Sequence, residues 1–195
     1  LDTDEFVLHN EGDRLLIQTN LNAPNQRIVE TTISNPLPTT WEDVIPENEN
    51  VLTASTAGGY IFASYLKDAK TEVIQFSTRG KKIRDVKLPS LGTAVGFDGL
   101  VMDESLHYTF TSFTYPSSIF SYDISSGVSQ LYSQPTVDLD PENYVTEQVF
   151  YESKDGTKVP MFIVHKKGSV LDGNNPTYLY AYGGFNVSLR PSFNT

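Results

Sequence analysis

The strongest constraint on this chain is an alternation of apolar and polar residues with period two, broken at short intervals by turn chemistry. Leu106, Tyr108, Phe110 and Ser112 alternate with His107, Thr109, Thr111 and Phe113. That is the pattern of a half-buried strand. Similar runs occupy Phe6–Leu8, Leu15–Gln18, Arg27–Ile33, Tyr60–Leu66, Val73–Phe76 and Ile119–Tyr122. Between them lie Asn10-Glu11-Gly12-Asp13, Asn22-Ala23-Pro24-Asn25, Thr78-Arg79-Gly80-Lys81 and Ser125-Ser126-Gly127, all rich in turn-forming residues. No helical periodicity precedes Pro135. Short strands at regular spacing predict a sandwich, a barrel or a propeller.

A weak internal repeat favours the propeller. Tyr60, Phe62, Val73, Phe76 and Gly80 line up with Tyr108, Phe110, Ile119, Tyr122 and Gly127, and an earlier copy fits at Leu15–Val29. The offset of about 45–48 residues is the size of a four-stranded blade. Repeat units bury their faces on neighbours, and three blades do not close a ring. The pattern therefore predicts a chain that is part of something longer, and Leu1 in place of Met agrees with that expectation.

The character changes near residue 136, where a domain boundary is expected. Asp140 can cap a short helical turn that begins at Pro141. Three strand candidates follow, Tyr144–Tyr151, Thr157–Val164 and Thr177–Tyr182, with Lys154-Asp155-Gly156 as a hairpin turn between the first two. The third is aromatic almost throughout and runs into Gly183-Gly184. A strand apolar on both faces suits a doubly wound sheet.

Composition narrows the function. The net charge of −10 repels phosphate backbones, so nucleic acid is not an expected partner. The 11 Phe and 11 Tyr residues are too many for a disordered chain. There is no cysteine, hence no disulfide framework or thiolate metal site, and no apolar stretch long enough for a membrane helix. His9, His107 and His165 stand in separate segments without metal-ligand spacing. No metal site is expected. Asp103-Glu104 and Asp138/Asp140 read as turn and cap acids, and Lys166-Lys167-Gly168 as a solvated strand exit. Asn186-Val187-Ser188 fits a glycosylation sequon.

A nucleophile elbow, Gly-x-Ser-x-Gly, is absent from the sequence. One segment nevertheless stands out, Tyr180-Ala-Tyr-Gly-Gly-Phe-Asn186. In α/β-hydrolases the loop after the third strand supplies one oxyanion-hole donor, and this is the third strand after the boundary. A phenol O–H can serve as such a donor. A plain glycine turn flanked by core aromatics is the alternative reading of the same residues.

The stretch Gln148–Gly168, followed by Tyr180–Asn186, resembles the prolyl oligopeptidase family of serine peptidases. Phe110-Thr-Ser-Phe-Thr-Tyr-Pro116 and Trp41-Glu-Asp-Val-Ile-Pro46 resemble it too, so the likeness spans essentially the whole chain. Relatives that cleave after basic residues tend to read Gly-Ser-Tyr-Gly where this chain has Gly183-Gly-Phe-Asn186, which favours the prolyl branch.

The resemblance implies a mainly β chain: residues 1–136 as the last blades of a seven-bladed β-propeller, and residues 137–195 as the first strands of an α/β-hydrolase domain. It implies an endopeptidase that cuts short peptides after proline, working in the cytoplasm as a monomer without cofactor. Tyr182 matches the tyrosine that forms half of the oxyanion hole, and Phe185 matches the aromatic wall of the proline pocket. The catalytic Ser, Asp and His would lie beyond Thr195, so the chain alone is expected to be inactive. Two rival readings remain: a non-catalytic propeller module that binds peptide or protein, and a relative that transfers the acyl group to a peptide amine and so makes cyclic peptides.

Overall fold

The computed structural model describes residues 3–185 and 187–194. Three four-stranded antiparallel meanders follow one another along the chain. The first holds β1 (Glu5–Glu11), β2 (Arg14–Thr19), β3 (Arg27–Thr32) and β4 (Glu42–Ile45). The second holds β5 (Val51–Ala57), β6 (Tyr60–Lys67), β7 (Lys70–Ser77) and β8 (Lys82–Asp85), and the third β9 (Thr93–Val95), β10 (Ser105–Thr111), β11 (Ser118–Asp123) and β12 (Ser129–Ser133). A two-stranded hairpin, β13 (Tyr144–Glu152) with β14 (Lys158–Lys166), ends the regular structure. The second strands begin at Arg14, Tyr60 and Ser105, close to the spacing of the sequence repeat.

Period two explains how the sheets stack. On β6, Ile61, Ala63 and Tyr65 face the first sheet, where with Leu52 of β5 they pack against Leu16, Ile28 and Ile45. The alternate residue Phe62 faces the third sheet, in a core with Phe97, Tyr108, Phe110, Phe120 and Tyr122. The middle sheet is thus covered on both faces. Aromatic rings dominate the second core: Phe97 and Tyr108 stack at 4.7 Å, and Phe62 meets Tyr122 edge-on at 5.8 Å. Such pairs contribute beyond their buried area.

Polar bonds stitch the sheets together. The Arg14 guanidinium binds Glu30 on its own sheet and donates to the Thr78 carbonyl of the β7–β8 turn at 2.6 Å. Gln18 donates to the Leu52 carbonyl and accepts from the Ala54 N–H. The glycines aligned by the repeat have a common task. Gly80, at φ 76°, lies so close to β4 that a side chain would run into the Val44 carbonyl. Gly127, at φ 77°, lies against Arg84 of β8. In both places the turn before the fourth strand abuts the fourth strand of the preceding sheet.

Past β12 the chain follows the sequence reading in part. Asp140 accepts from the Glu142 N–H at 3.0 Å and caps a 3-10 turn at Pro141–Asn143. The β13–β14 loop contains the expected Lys154-Asp155-Gly156, with Gly156 at φ 83°. The third strand does not form: Thr177–Tyr182 takes part in no ladder, and Tyr178 is 87% exposed. A run this apolar needs ladder partners and cover on both faces, and no strand among the described residues lies beside it.

Candidate functional site

The hairpin lies on the loops at one end of the second and third sheets. β6 and β7 are joined by Asp68-Ala69, both at positive φ (50° and 63°), the backbone of a type I′ turn built without glycine. Gln148 of β13 holds this turn, donating to the Asp68 carbonyl at 2.6 Å and accepting from Lys70 Nζ at 3.2 Å. The loop between β10 and β11 supplies the second contact. There Ser112 and Tyr115 exchange backbone hydrogen bonds, Ser112 Oγ donates to the Leu91 carbonyl at 2.7 Å, and Pro116 is buried. So braced, the loop presents Phe113 to Phe162 of β14, ring centroids 5.4 Å apart.

Beyond Lys166 the chain runs exposed to the glycine pair. Tyr178 and Tyr180 stack at 6.4 Å with nearly parallel rings. The Tyr182 ring folds back over Gly184: a Cβ added there would stand 3.1 Å from the Tyr182 hydroxyl and 3.2 Å from Cζ. Gly184 leaves room for the phenol, and a side chain there would press on the ring. Neither glycine takes a positive φ; Phe185 does, at 56°. A turn follows, in which the Val187 N–H donates to the Gly184 carbonyl at 3.2 Å.

The two candidate residues thus flank one glycine pair. Tyr182 is 47% exposed and Phe185 94% exposed, so their side chains are open to a partner. Asn186, and with it the sequon, lies outside the described residues. From Val187 the chain turns back onto the sheets. Val187, Ser188 and Arg190 border an open groove of about 770 Å³ along β5 and β9, lined by Thr53, Ser55, Ser64 and Asp98 among others. Pro191 is buried; its carbonyl accepts from Thr93 Oγ1 at 2.8 Å, and the Phe193 N–H donates to Thr111 Oγ1 at 3.0 Å.

The other sequence candidates fall elsewhere. His107 meets Tyr132 edge-on at 4.7 Å, and His165 Nδ1 lies 3.0 Å from the Lys166 carbonyl. His9 borders a small cavity with Thr56, Tyr60 and Thr78. Among the described residues no three His, Asp or Glu side chains gather where a metal could be held, and no helix is long and apolar enough to cross a membrane. Sequence reasoning missed Gln148, Thr93 and Thr111, which join the last 60 residues to the sheets.

Comparison with known proteins places this geometry. Residues 2–135 match the family model for the prolyl oligopeptidase N-terminal β-propeller domain. The chain is 51% identical over 187 residues to a prolyl endopeptidase of Elizabethkingia miricola, covering 96% of the chain and 26% of that protein. It is 32% identical over 197 residues to the dual-function macrocyclase-peptidase POPB of Galerina marginata, covering 97% and 27%. A structure from a study of two prolyl endopeptidases superposes with a TM-score of 0.86 at 42% identity, over 100% of this chain and 29% of that one. Prolyl oligopeptidase B of Galerina marginata, solved as the apo protein, gives 0.87 at 31% identity, over 98% and 28%. The chain spans about a quarter of the length of the curated relatives it matches.

Proposed function

The chain belongs to the prolyl oligopeptidase family, and from that membership we propose that it forms the middle of a longer serine endopeptidase that hydrolyses short peptides on the C-terminal side of proline. In this reading residues 1–136 are the last blades of a seven-bladed propeller. Residues 137–195 begin an α/β-hydrolase domain, whose remaining strands would pair with Thr177–Tyr182 and cover its aromatic faces. The observation that carries the reading is the extent of the similarity. It runs over 96% of the chain in a prolyl endopeptidase, well past the propeller residues and across the last segment.

The roles follow from chemistry. Attack of a serine on the peptide carbonyl puts negative charge on its oxygen, and a donor fixed beforehand lowers that barrier. The Tyr182 hydroxyl is that donor, aimed by a ring that Gly184 leaves room for. The second donor, the nucleophile, its base and the orienting acid come from outside residues 1–195. Phe185 is the wall of the pocket for proline. Pyrrolidine carries no N–H to read, so shape and apolar contact do the selecting. The enzyme is proposed to work as a cytoplasmic monomer without a cofactor.

The test is to express the full reading frame that contains this chain and assay a Gly-Pro amide reporter. Release of the leaving group, abolished by a serine-directed inhibitor, is the expected result; an inactive full-length protein would refute the reading. Similarity to a macrocyclase-peptidase supports a second outcome, acyl transfer to a peptide amine. Product mass separates the two, since hydrolysis adds one water and cyclisation none.

A further inference from the structure

The segment that follows Phe185 is held by two hydroxyls that the proposed chemistry does not use. Thr93 on β9 and Thr111 on β10 are direct register partners, so their side chains share one face of the third sheet. Thr93 Oγ1 donates to the Pro191 carbonyl at 2.8 Å, and Thr111 Oγ1 accepts from the Phe193 N–H at 3.0 Å. The Thr111 hydroxyl is used in both directions, since it also donates to the Tyr115 carbonyl at 3.3 Å. One backbone carbonyl and one backbone N–H, two residues apart, are thus taken by a pair of threonine hydroxyls rather than by a ladder strand. Pro191 suits its place, because its carbonyl is bonded and it has no N–H to satisfy.

We propose that Thr93 and Thr111 form a two-point clasp that fixes the backbone after Phe185 on the third sheet and so positions Tyr182 and Phe185. Only six residue steps separate Phe185 from Pro191, which confines Phe185 to within roughly 20 Å of the clasp even when the chain is fully extended. Gln148 pins the hairpin on the other side of the exposed run. The Tyr182–Phe185 turn is thus tethered at both ends to the sheets, and the nearer tether is the threonine pair. Both threonines are positioning residues, and this role rests on the reading of Tyr182 and Phe185 as substrate-facing groups.

The experiment is hydrogen exchange on the full-length protein, read for peptides covering 178–185 and 187–194. The unmodified chain is compared with Thr93→Val, Thr111→Val, Thr93→Ser and Thr111→Ser. Valine keeps the shape and β-branching but removes the hydroxyl; serine keeps the hydroxyl. Loss of one ordinary hydrogen bond corresponds to about fivefold faster exchange. That acceleration is expected in both peptides of each valine variant, with each serine variant close to the unmodified chain. Equal exchange in the valine and serine variants overturns the clasp, and so does an unprotected Phe193 amide in the unmodified chain, which needs no variant. In the full-length peptidase, Thr111→Val is expected to lower kcat about fivefold with little change in KM, and Thr111→Ser to restore it; an unchanged kcat overturns the positioning role. An unmodified full-length protein without activity counts against the peptidase reading, and the exchange data still decide the clasp.

Discussion

The Tyr122 hydroxyl donates to Gln75 Oε1 at 2.8 Å, joining β11 to β7 across the interface between the third and second sheets. Both side chains are fully buried, and Gln75 Nε2 donates in turn to the Ile124 carbonyl at 3.1 Å. The glutamine amide is thus bonded at both ends to the neighbouring sheet. Burial holds the Tyr122 phenol above its ordinary pKa, so it remains a donor well past neutral pH. Tyr122→Phe would leave Oε1 without this partner in an apolar core. The expected loss is about 1–3 kcal/mol, measured as a lower urea midpoint. Gln75→Leu together with Tyr122→Phe should cost less than the sum of the two single changes. A Tyr122→Phe midpoint equal to that of the parent chain would refute the account.

Gly80 and Gly127 occupy matching turns with nearly equal φ, yet their neighbours differ. A methyl at Gly80 meets backbone, the Val44 carbonyl, which belongs to a hydrogen-bonded sheet; at Gly127 it meets the end of the Arg84 side chain. Left-handed backbone alone costs a non-glycine residue about 1–2 kcal/mol. Gly127→Ala should lose about that amount, because arginine can swing aside. Gly80→Ala should lose about 3 kcal/mol or more, since backbone must move as well. Thermal unfolding of the two variants decides it, and equal losses would contradict this reading of the turns.

The strands and this pair of glycines were legible in the sequence because both are local signals. Alternation marks a strand wherever it lies, and a glycine at a fixed place in a repeat marks a turn that tolerates no side chain. What joins one sheet to the next was not legible. Gln75 and Tyr122, or Arg14 and Thr78, are far apart in the chain, and nothing near either residue reports its partner. The Asp68-Ala69 turn escaped notice because it lacks the glycine that usually marks such a turn. Thr177–Tyr182 carries the composition of a central strand, but composition cannot provide the neighbours a ladder requires. Tyr182 and Phe185 drew notice through the glycine pair beside them, while their roles rest on family resemblance. Thr93 and Thr111 look like any strand threonines until the chain returns to meet them.

Asp68-Ala69 stores strain that one substitution should release. Alanine at φ 63° sits in the left-handed region, at a cost of about 1–2 kcal/mol. Glycine removes that cost but gives the unfolded chain more freedom, worth about 0.4–1 kcal/mol. The first effect is the larger, so Ala69→Gly should stabilise the chain by roughly 0.5–1 kcal/mol. Asp-Gly is also a favoured pair for this turn type. A lower unfolding midpoint for Ala69→Gly would show that the turn is unstrained.

Two exposed turn carboxylates should respond to acid in a defined way. The Ser126 N–H and the Ser125 hydroxyl, at 2.7 and 2.8 Å, hold the Asp123 carboxyl down to about 2. The Ser153 hydroxyl, then the Thr157 N–H, hold Asp155 down to about 2. In both cases the folded value lies below the ordinary 3.8. The stabilisation is therefore present in full above about pH 4 and fades as pH falls through 2. Carboxyl carbon shifts followed by NMR should titrate near 2 at both positions. Midpoints near 3.8 would mean that these turns do not hold their carboxylates.

Tyr182→Phe is the sharpest test of the proposed chemistry, because it removes one oxygen and leaves the ring over Gly184. A donor that acts on the developing oxyanion contributes to the transition state and little to substrate binding. In the full-length peptidase the variant should lose about 10²–10³ in kcat while KM stays within a few-fold. A purely structural tyrosine predicts a different pattern. The residue is 47% exposed, so deleting its hydroxyl would scarcely alter stability or turnover. Kinetics with a Gly-Pro reporter, alongside an unfolding curve for the same variant, separate the two cases. A kcat within twofold of the unmodified enzyme would remove Tyr182 from the oxyanion hole.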